Sequence, residues 1–235
     1  ERAFYRCTSL KRVIMPGVKV VERQAFSCCF ALTDVECGKL EIIKDCAFQC
    51  CDSLRRINLP SARIAEGHAF YGCKALTEVK FGSKIERIEE VVFGNCKSLE
   101  RITISLKEDI IDQDDIFQGC NNLKHVDLIE RVVLDETVAA LLLEEWRNNM
   151  YEEIDSINEI LLNAPSGFWR TREDGEKARA IRRWIRSVLG KIVQYKAEHQ
   201  RILDEAATTL QQSLPRDIVM NSVLPFLDLP LHTFE

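Results

Sequence analysis

Ala47-Phe48-Gln49-Cys50-Cys51-Asp52-Ser53-Leu54-Arg55-Arg56-Ile57-Asn58-Leu59-Pro60 is one copy of a pattern that this chain of 235 residues repeats along its first half. The aromatic position recurs as Phe4, Phe26, Phe48, Phe70, Phe93 and Phe117, at steps of 22, 22, 22, 23 and 24 residues. Three residues after each stands a cysteine: Cys7, Cys29, Cys51, Cys73, Cys96 and Cys120. Three further on come Leu10, Leu32, Leu54, Leu76, Leu99 and Leu123, then Val13, Val35, Ile57, Val79, Ile102 and Val126. A fixed period of this length is the mark of a repeat array. The segment from Leu54 to Leu59 alternates apolar and polar side chains, as a half-buried strand does. A single such strand cannot bury its apolar face, but parallel copies stacked about 4.8 Å apart build one continuous core. The expectation is a six-turn solenoid with a parallel β ladder.

The pattern Ala-Phe-x-x-Cys-x-x-Leu-x-x-Val, with apolar-Pro after it at Leu59-Pro60 and Met15-Pro16, resembles the BspA-like leucine-rich repeat family over about residues 1–130. That resemblance implies a leucine-rich-repeat solenoid used in adhesion and protein recognition.

Periodicity changes from strand to helix near Leu128. Asp135 is read as the N-cap of a helix running to about Asn163, with Val138, Leu142, Trp146, Met150, Ile154, Ile157 and Leu161 as its apolar stripe. Pro165 and Gly167 end it, and Thr171 with Asp174 resembles a capping box for a longer helix to about Leu210. The fold class is therefore α+β: a repeat domain over 1–134, then an α-helical hairpin or bundle over 135–235. The acidic first helix and the cluster Arg179, Arg182, Arg183 and Arg186 are expected to pair with each other. His199 is read as a satisfied core histidine.

Composition narrows the function classes. Net charge is −5 and the charges are interspersed, so the basic footprint of a nucleic-acid binder is missing. The longest apolar runs are too short to span a bilayer, and no membrane partner is expected. No nucleophile elbow, phosphate loop or zinc-protease motif occurs, and His68, His125, His199 and His232 are scattered; the chain is read as a non-enzyme without cofactor. The ladder cysteines spread one sulfur per turn, which suits core packing and not a metal site. Acidic residues from Glu108 to Asp115 lack the glycine and closing glutamate of a calcium loop. Ten cysteines without a disulfide-like framework point to a reducing, intracellular setting. The chain starts without methionine inside a repeat and is read as N-terminally truncated, which leaves an upstream targeting signal open.

The slot before each ladder cysteine holds Arg6, Cys28, Cys50, Gly72, Asn95 and Gly119, and its glycines and asparagine indicate positive φ. Cys28 and Cys50 stand there in adjacent repeats, as free surface thiols or, alternatively, as a pair near disulfide distance. The residues flanking the Val/Ile rung are expected to face outward. One series is Arg12, Asp34, Arg56, Glu78, Arg101 and His125; the other includes Glu36, Asn58, Lys80 and Thr103. Alternating sign in the first series reads as a lateral ion-pair ladder or as a docking strip for a protein or peptide. The functional expectation is a monomeric protein-interaction scaffold. The alternatives are assembly through the long C-terminal helix and an F-box-like adaptor through residues 214–227.

Overall fold

The computed structural model describes residues 1–164 and 175–211. The expected capping box at Thr171 and Asp174 and the F-box-like stretch 214–227 lie outside the described residues. Among the described residues ten strands precede three helices, and the strands form two parallel ladders. The first ladder is the expected one: β1 (Arg12–Ile14), β3 (Asp34–Glu36), β5 (Arg56–Leu59), β7 (Glu78–Phe81), β9 (Arg101–Ile104) and β10 (His125–Leu128). β1 pairs with β3, and β5, β7, β9 and β10 form a four-stranded sheet in that order. The second ladder consists of the two-residue strands β2 (Val20–Val21), β4 (Ile42–Ile43), β6 (Ile64–Ala65) and β8 (Arg87–Ile88), extended by a bridge from Ile88 to Ile111.

Side chains repeat with the backbone, so each repeat position becomes a column. Phenylalanine rings stack nearly parallel from Phe4 to Phe117, with centroids 5.1, 5.3, 5.4, 5.7 and 5.8 Å apart. Phe48, Phe70 and Phe93 are fully buried, as are Leu54, Leu76 and Leu99. The cysteines are more than small hydrophobes. Each buried thiol of the ladder column donates to the carbonyl of the phenylalanine one turn earlier: Cys29 to Phe4 at 3.2 Å, Cys51 to Phe26 at 3.3 Å, Cys73 to Phe48 at 3.1 Å, Cys96 to Phe70 at 3.1 Å and Cys120 to Phe93 at 2.9 Å. A serine would fill this slot with a more polar group, and alanine would leave the carbonyl with its backbone donor alone.

Around each phenylalanine, backbone amides alternate between partners in their own turn and the next. Ala25, Ser27 and Cys29 donate to Glu22, Gln24 and Phe26 within the turn, while Gln24, Phe26 and Cys28 donate to Asp45, Ala47 and Gln49 across it. This alternation requires left-handed backbone at two slots per turn. The slot before the cysteine is left-handed in all six repeats, at φ of 59° (Arg6), 60° (Cys28), 55° (Cys50), 73° (Gly72), 58° (Asn95) and 71° (Gly119). A second left-handed column, Arg2, Gln24, Cys46, His68 and Val91, gave no sequence signal because it contains no glycine.

Gly82 marks the closest approach between turns. A Cβ built on it would meet the Pro60 carbonyl oxygen at 2.0 Å and the Pro60 Cα at 2.9 Å, both rigid backbone. Gly82→Ala is therefore expected to cost about 1–3 kcal/mol as the two turns are forced apart; urea unfolding compared with Gly38→Ala, where a Cβ meets nothing within 4 Å, measures it.

The C-terminal helices are α1 (Arg131–Ala139), α2 (Glu144–Asn163) and α3 (Glu176–Gln211). The chain divides into two compact units: Glu1–Glu130 with Ser156–Ile185, and Arg131–Asp155 with the described residues from Arg186 onward. In the first unit two arginines of the cluster on α3 take a partner that the sequence did not suggest. Arg179 and Arg182 reach Asp114, at 2.8 and 2.5 Å, and Arg179 also takes Glu176. Burial pushes the Asp114 carboxyl up, and the bonds from Arg179 and Arg182 more than reverse it, holding it below its ordinary value. Buried Lys177 donates to the carbonyls of Asn121 and Leu123, at 3.3 and 2.5 Å, tying down the last repeat.

In the second unit the single helix expected from Asp135 to Asn163 is broken at residues 140–143. Helix α1 begins at Arg131, so Asp135 lies inside it and pairs with Arg131 at 3.0 Å instead of capping it. Side chains satisfy the break: Arg147 donates to the carbonyls of Leu141 and Leu142, and the Leu142 amide donates to Nδ1 of buried His199 at 3.3 Å. Leu142, expected on the buried stripe, is consequently 39% exposed. Trp146 stacks on Tyr195 at 5.4 Å, and Lys191 pairs with Glu153 at 2.8 Å.

Candidate strand-face docking site

Parallel pairing fixes which side chains share the outer face of the first ladder. Arg12 stands opposite Asp34, Arg56 opposite Glu78, Glu78 opposite Arg101, and Arg101 opposite His125. The second series aligns the same way: Ile14 with Glu36, Asn58 with Lys80, Lys80 with Thr103, and Thr103 with Asp127. Between these series Val35, Ile57, Val79, Ile102 and Val126 are buried, so the strands alternate outward and inward side chains. Arg12, Glu36, Arg56, Asn58 and Lys80 are exposed; Asp34, Glu78, Arg101, Thr103 and His125 are half-buried. The two outward series are thus brought together as columns on the ladder's outer side.

The charges on this face bind one another. Arg12 bridges Asp34 at 2.9 Å and also bonds Glu36, and these two carboxylates hold its guanidinium above its ordinary value. Glu78 receives Lys80 at 3.2 Å and Arg56 at 3.6 Å. Nη1 of Arg101 donates to both carboxylate oxygens of Asp127, at 2.8 and 2.7 Å. The lateral ion-pair ladder therefore exists. Each exposed pair contributes about 0.2–1 kcal/mol, so a ligand can exchange these partners at small cost. Chemically, the face offers paired charges, amides and hydroxyls in a regular lattice, with Arg56 the most open of the cations in those pairs.

The same device recurs beside the second ladder, where sequence reasoning did not look for it. Lys19 pairs with Glu41 at 2.9 Å and Arg63 with Glu86 at 2.8 Å, one column of alternating sign. The spacing of 22–23 residues between these positions was the available signal. The first turn also carries an apolar cleft of about 350 Å³ among Phe4, Val13, Ile14, Val18, Val20 and Phe26. Among the described residues no group of three or more His, Cys, Asp or Glu side chains could hold a metal ion, and no helix is long and apolar enough to cross a membrane.

Comparison with known proteins agrees with the column geometry. The profile of the BspA type leucine rich repeat region matches in six copies, over residues 1–66 and 41–137. No curated protein matches the chain. Among solved structures, a Treponema pallidum leucine rich repeat protein is 28% identical, with 54% of this chain and 60% of that one covered and a TM-score of 0.48. A leucine rich cell surface protein from Faecalibacterium prausnitzii is 25% identical, with coverage of 51% and 32% and a TM-score of 0.47. A Bacteroides ovatus leucine-rich repeat protein is also 25% identical, with coverage of 53% and 32% and a TM-score of 0.45. The chain thus spans less than two thirds of each of these proteins. Six profile copies laid over a six-rung ladder of phenylalanine, cysteine and leucine place this chain in the BspA-type leucine-rich repeat family.

Proposed function

We propose that the chain is a non-catalytic scaffold that binds a protein or peptide through the outer face of the first ladder. The observation that carries this reading is the register: within each paired set of strands, β1 with β3 and β5 with β7, β9 and β10, the polar and charged flanking residues line up in columns on the outward side, half of the ten exposed and half partly buried. Solenoids present their ligand surfaces in this way, because stacking repeats leaves one side chain per strand at a fixed spacing. The binding residues are Arg12, Asp34, Glu36, Arg56, Asn58, Glu78, Lys80, Arg101, Thr103 and His125. Their mixed charge selects a partner that presents both signs, and the pairing within the face disfavours a polyanion.

The test neutralises the cations while keeping the fold. The 235-residue chain and its Arg12→Gln/Arg56→Gln/Arg101→Gln variant serve as matched baits in affinity capture under reducing conditions. Circular dichroism is expected to be unchanged, because exposed pairs contribute little to stability. Capture of the ligand is expected to fall about tenfold or more, equivalent to about 1.4 kcal/mol. Undiminished capture by a folded variant would remove this face from consideration.

A further inference from the structure

Cys28 and Cys50 occupy the same left-handed slot in consecutive turns, at φ of 60° and 55°, and both are half-buried. The backbone holds these turns in register: the Cys28 amide donates to the Gln49 carbonyl at 2.7 Å, two residues after Phe26 donates to Ala47 at 2.8 Å. The same two turns pair in parallel just upstream, Val20-Val21 with Ile42-Ile43, which sets adjacent turns about 4.8 Å apart, inside the range of about 4.4–6.8 Å between Cα atoms that a disulfide spans. Along this column the side chain leans toward the next turn. The Cys50 sulfur lies 3.2 Å from the position a Cβ would take on Gly72, the next residue of the column. In a closed disulfide each sulfur sits about 3 Å from the partner's Cβ, given an S–S bond of about 2.04 Å. One step along the column therefore already has nearly the sulfur-to-Cβ separation of a bond, and at the step from Cys28 to Cys50 both ends are cysteine.

We propose that Cys28 and Cys50 are an oxidisable thiol pair that closes into a disulfide across two adjacent turns by exchange with a small-molecule disulfide. One protein thiol loses its proton to solvent and attacks the reagent, releasing one small thiol and leaving a mixed disulfide. The second protein thiol, likewise deprotonated, attacks the protein-side sulfur and expels the second small thiol. Two protein S–H groups become one S–S bond, and one reagent disulfide becomes two thiols.

The neighbouring thiols are otherwise engaged. Cys29 and Cys51 are buried and donate to the Phe4 and Phe26 carbonyls, at 3.2 and 3.3 Å. Cys46, in the other left-handed column, donates to Asp45 at 3.4 Å. Burial raises the Cys50 thiol above its ordinary value, and Cys28 is the next cause, which agrees with adjacent sulfurs. The raised value keeps the thiolate scarce near neutral pH, and exchange through this sulfur speeds up as pH rises.

The experiment treats the full folded chain with oxidised glutathione, blocks remaining thiols with iodoacetamide, and maps tryptic peptides by mass spectrometry. The expected product links peptide 24–39 to peptide 45–55, and the melting temperature rises by several degrees. Cys28→Asn and Cys50→Asn each abolish the link, whereas Cys46→Ser retains it. Asparagine suits the slot, since Asn95 occupies it at 58°, and circular dichroism verifies that each variant folds. A link that survives Cys28→Asn overturns the proposal. So does a chain that carries glutathione on one or both sulfurs without closing, or one that remains unmodified.

Discussion

Phe48→Ala is expected to destabilise the chain by about 3–5 kcal/mol, the range found when a buried phenylalanine is truncated. Phe48 is fully buried, with Phe26 and Phe70 stacked on its two sides at 5.3 and 5.4 Å. Truncation leaves a void that neither neighbour can fill, because each is held by the inter-turn amide bonds of its own residue: Phe26 to Ala47, and Phe70 to Val92. Phe4→Ala provides the internal comparison. That ring has one stacked neighbour and is 46% exposed, so its loss is expected to cost about 1 kcal/mol or less. Chemical denaturation of both variants measures the difference. Equal effects at the two positions would mean that the aromatic column does not carry the stability assigned to it.

Alkali is expected to unfold the chain cooperatively through its thiols. Burial raises Cys29 and Cys37 to about 11 and Cys120 to about 12. Cys51 is raised by the neighbouring Cys73 thiol and by burial, and burial raises Cys73 and Cys96. In the unfolded chain these thiols titrate near 8.5. Below that value both states hold their protons, and stability is independent of the group. Above it the unfolded chain ionises while the folded one does not, so stability falls by up to about 1.4 kcal/mol per pH unit for each thiol. The buried thiols act in the same direction, so stability falls steadily as pH rises above about 8.5. Tryptophan fluorescence and thiolate absorbance, followed together from pH 8 to 11, are expected to change in one step. Thiolate absorbance from all ten cysteines in a chain that remains folded would contradict this account. Cys120→Ala is expected to make the loss of stability with pH shallower, by up to about 1.4 kcal/mol per pH unit.

The solenoid was legible because its period is strict: four matched positions recurring in six copies placed the first ladder, its buried rungs and its outward columns in register. The second ladder was not, since Val20-Val21, Ile42-Ile43, Ile64-Ala65 and Arg87-Ile88 are too short to show alternation. The left-handed slot was legible at Gly72 and Gly119 but not at His68 or Val91, where inter-turn hydrogen bonding overrides residue preference. In the helical part, an unbroken apolar stripe concealed the gap at 140–143, which depends on Arg147 and on His199 from a distant segment. Charge bookkeeping likewise named the basic cluster on α3 but not Asp114 as the partner of Arg179 and Arg182, because Asp114 lies in an acidic stretch outside the helices.

The charge columns constrain how such an array can grow. Arg12, Asp34, Arg56, Glu78 and Arg101 alternate in sign, as do Lys19, Glu41, Arg63 and Glu86. Duplicating or deleting one repeat within this run sets like charges side by side in both columns, at a distance where they repel. Duplicating or deleting two repeats together restores every pairing. The structural period is one turn, but the electrostatic period is two, so the heritable unit of expansion for this stretch of the array is the pair.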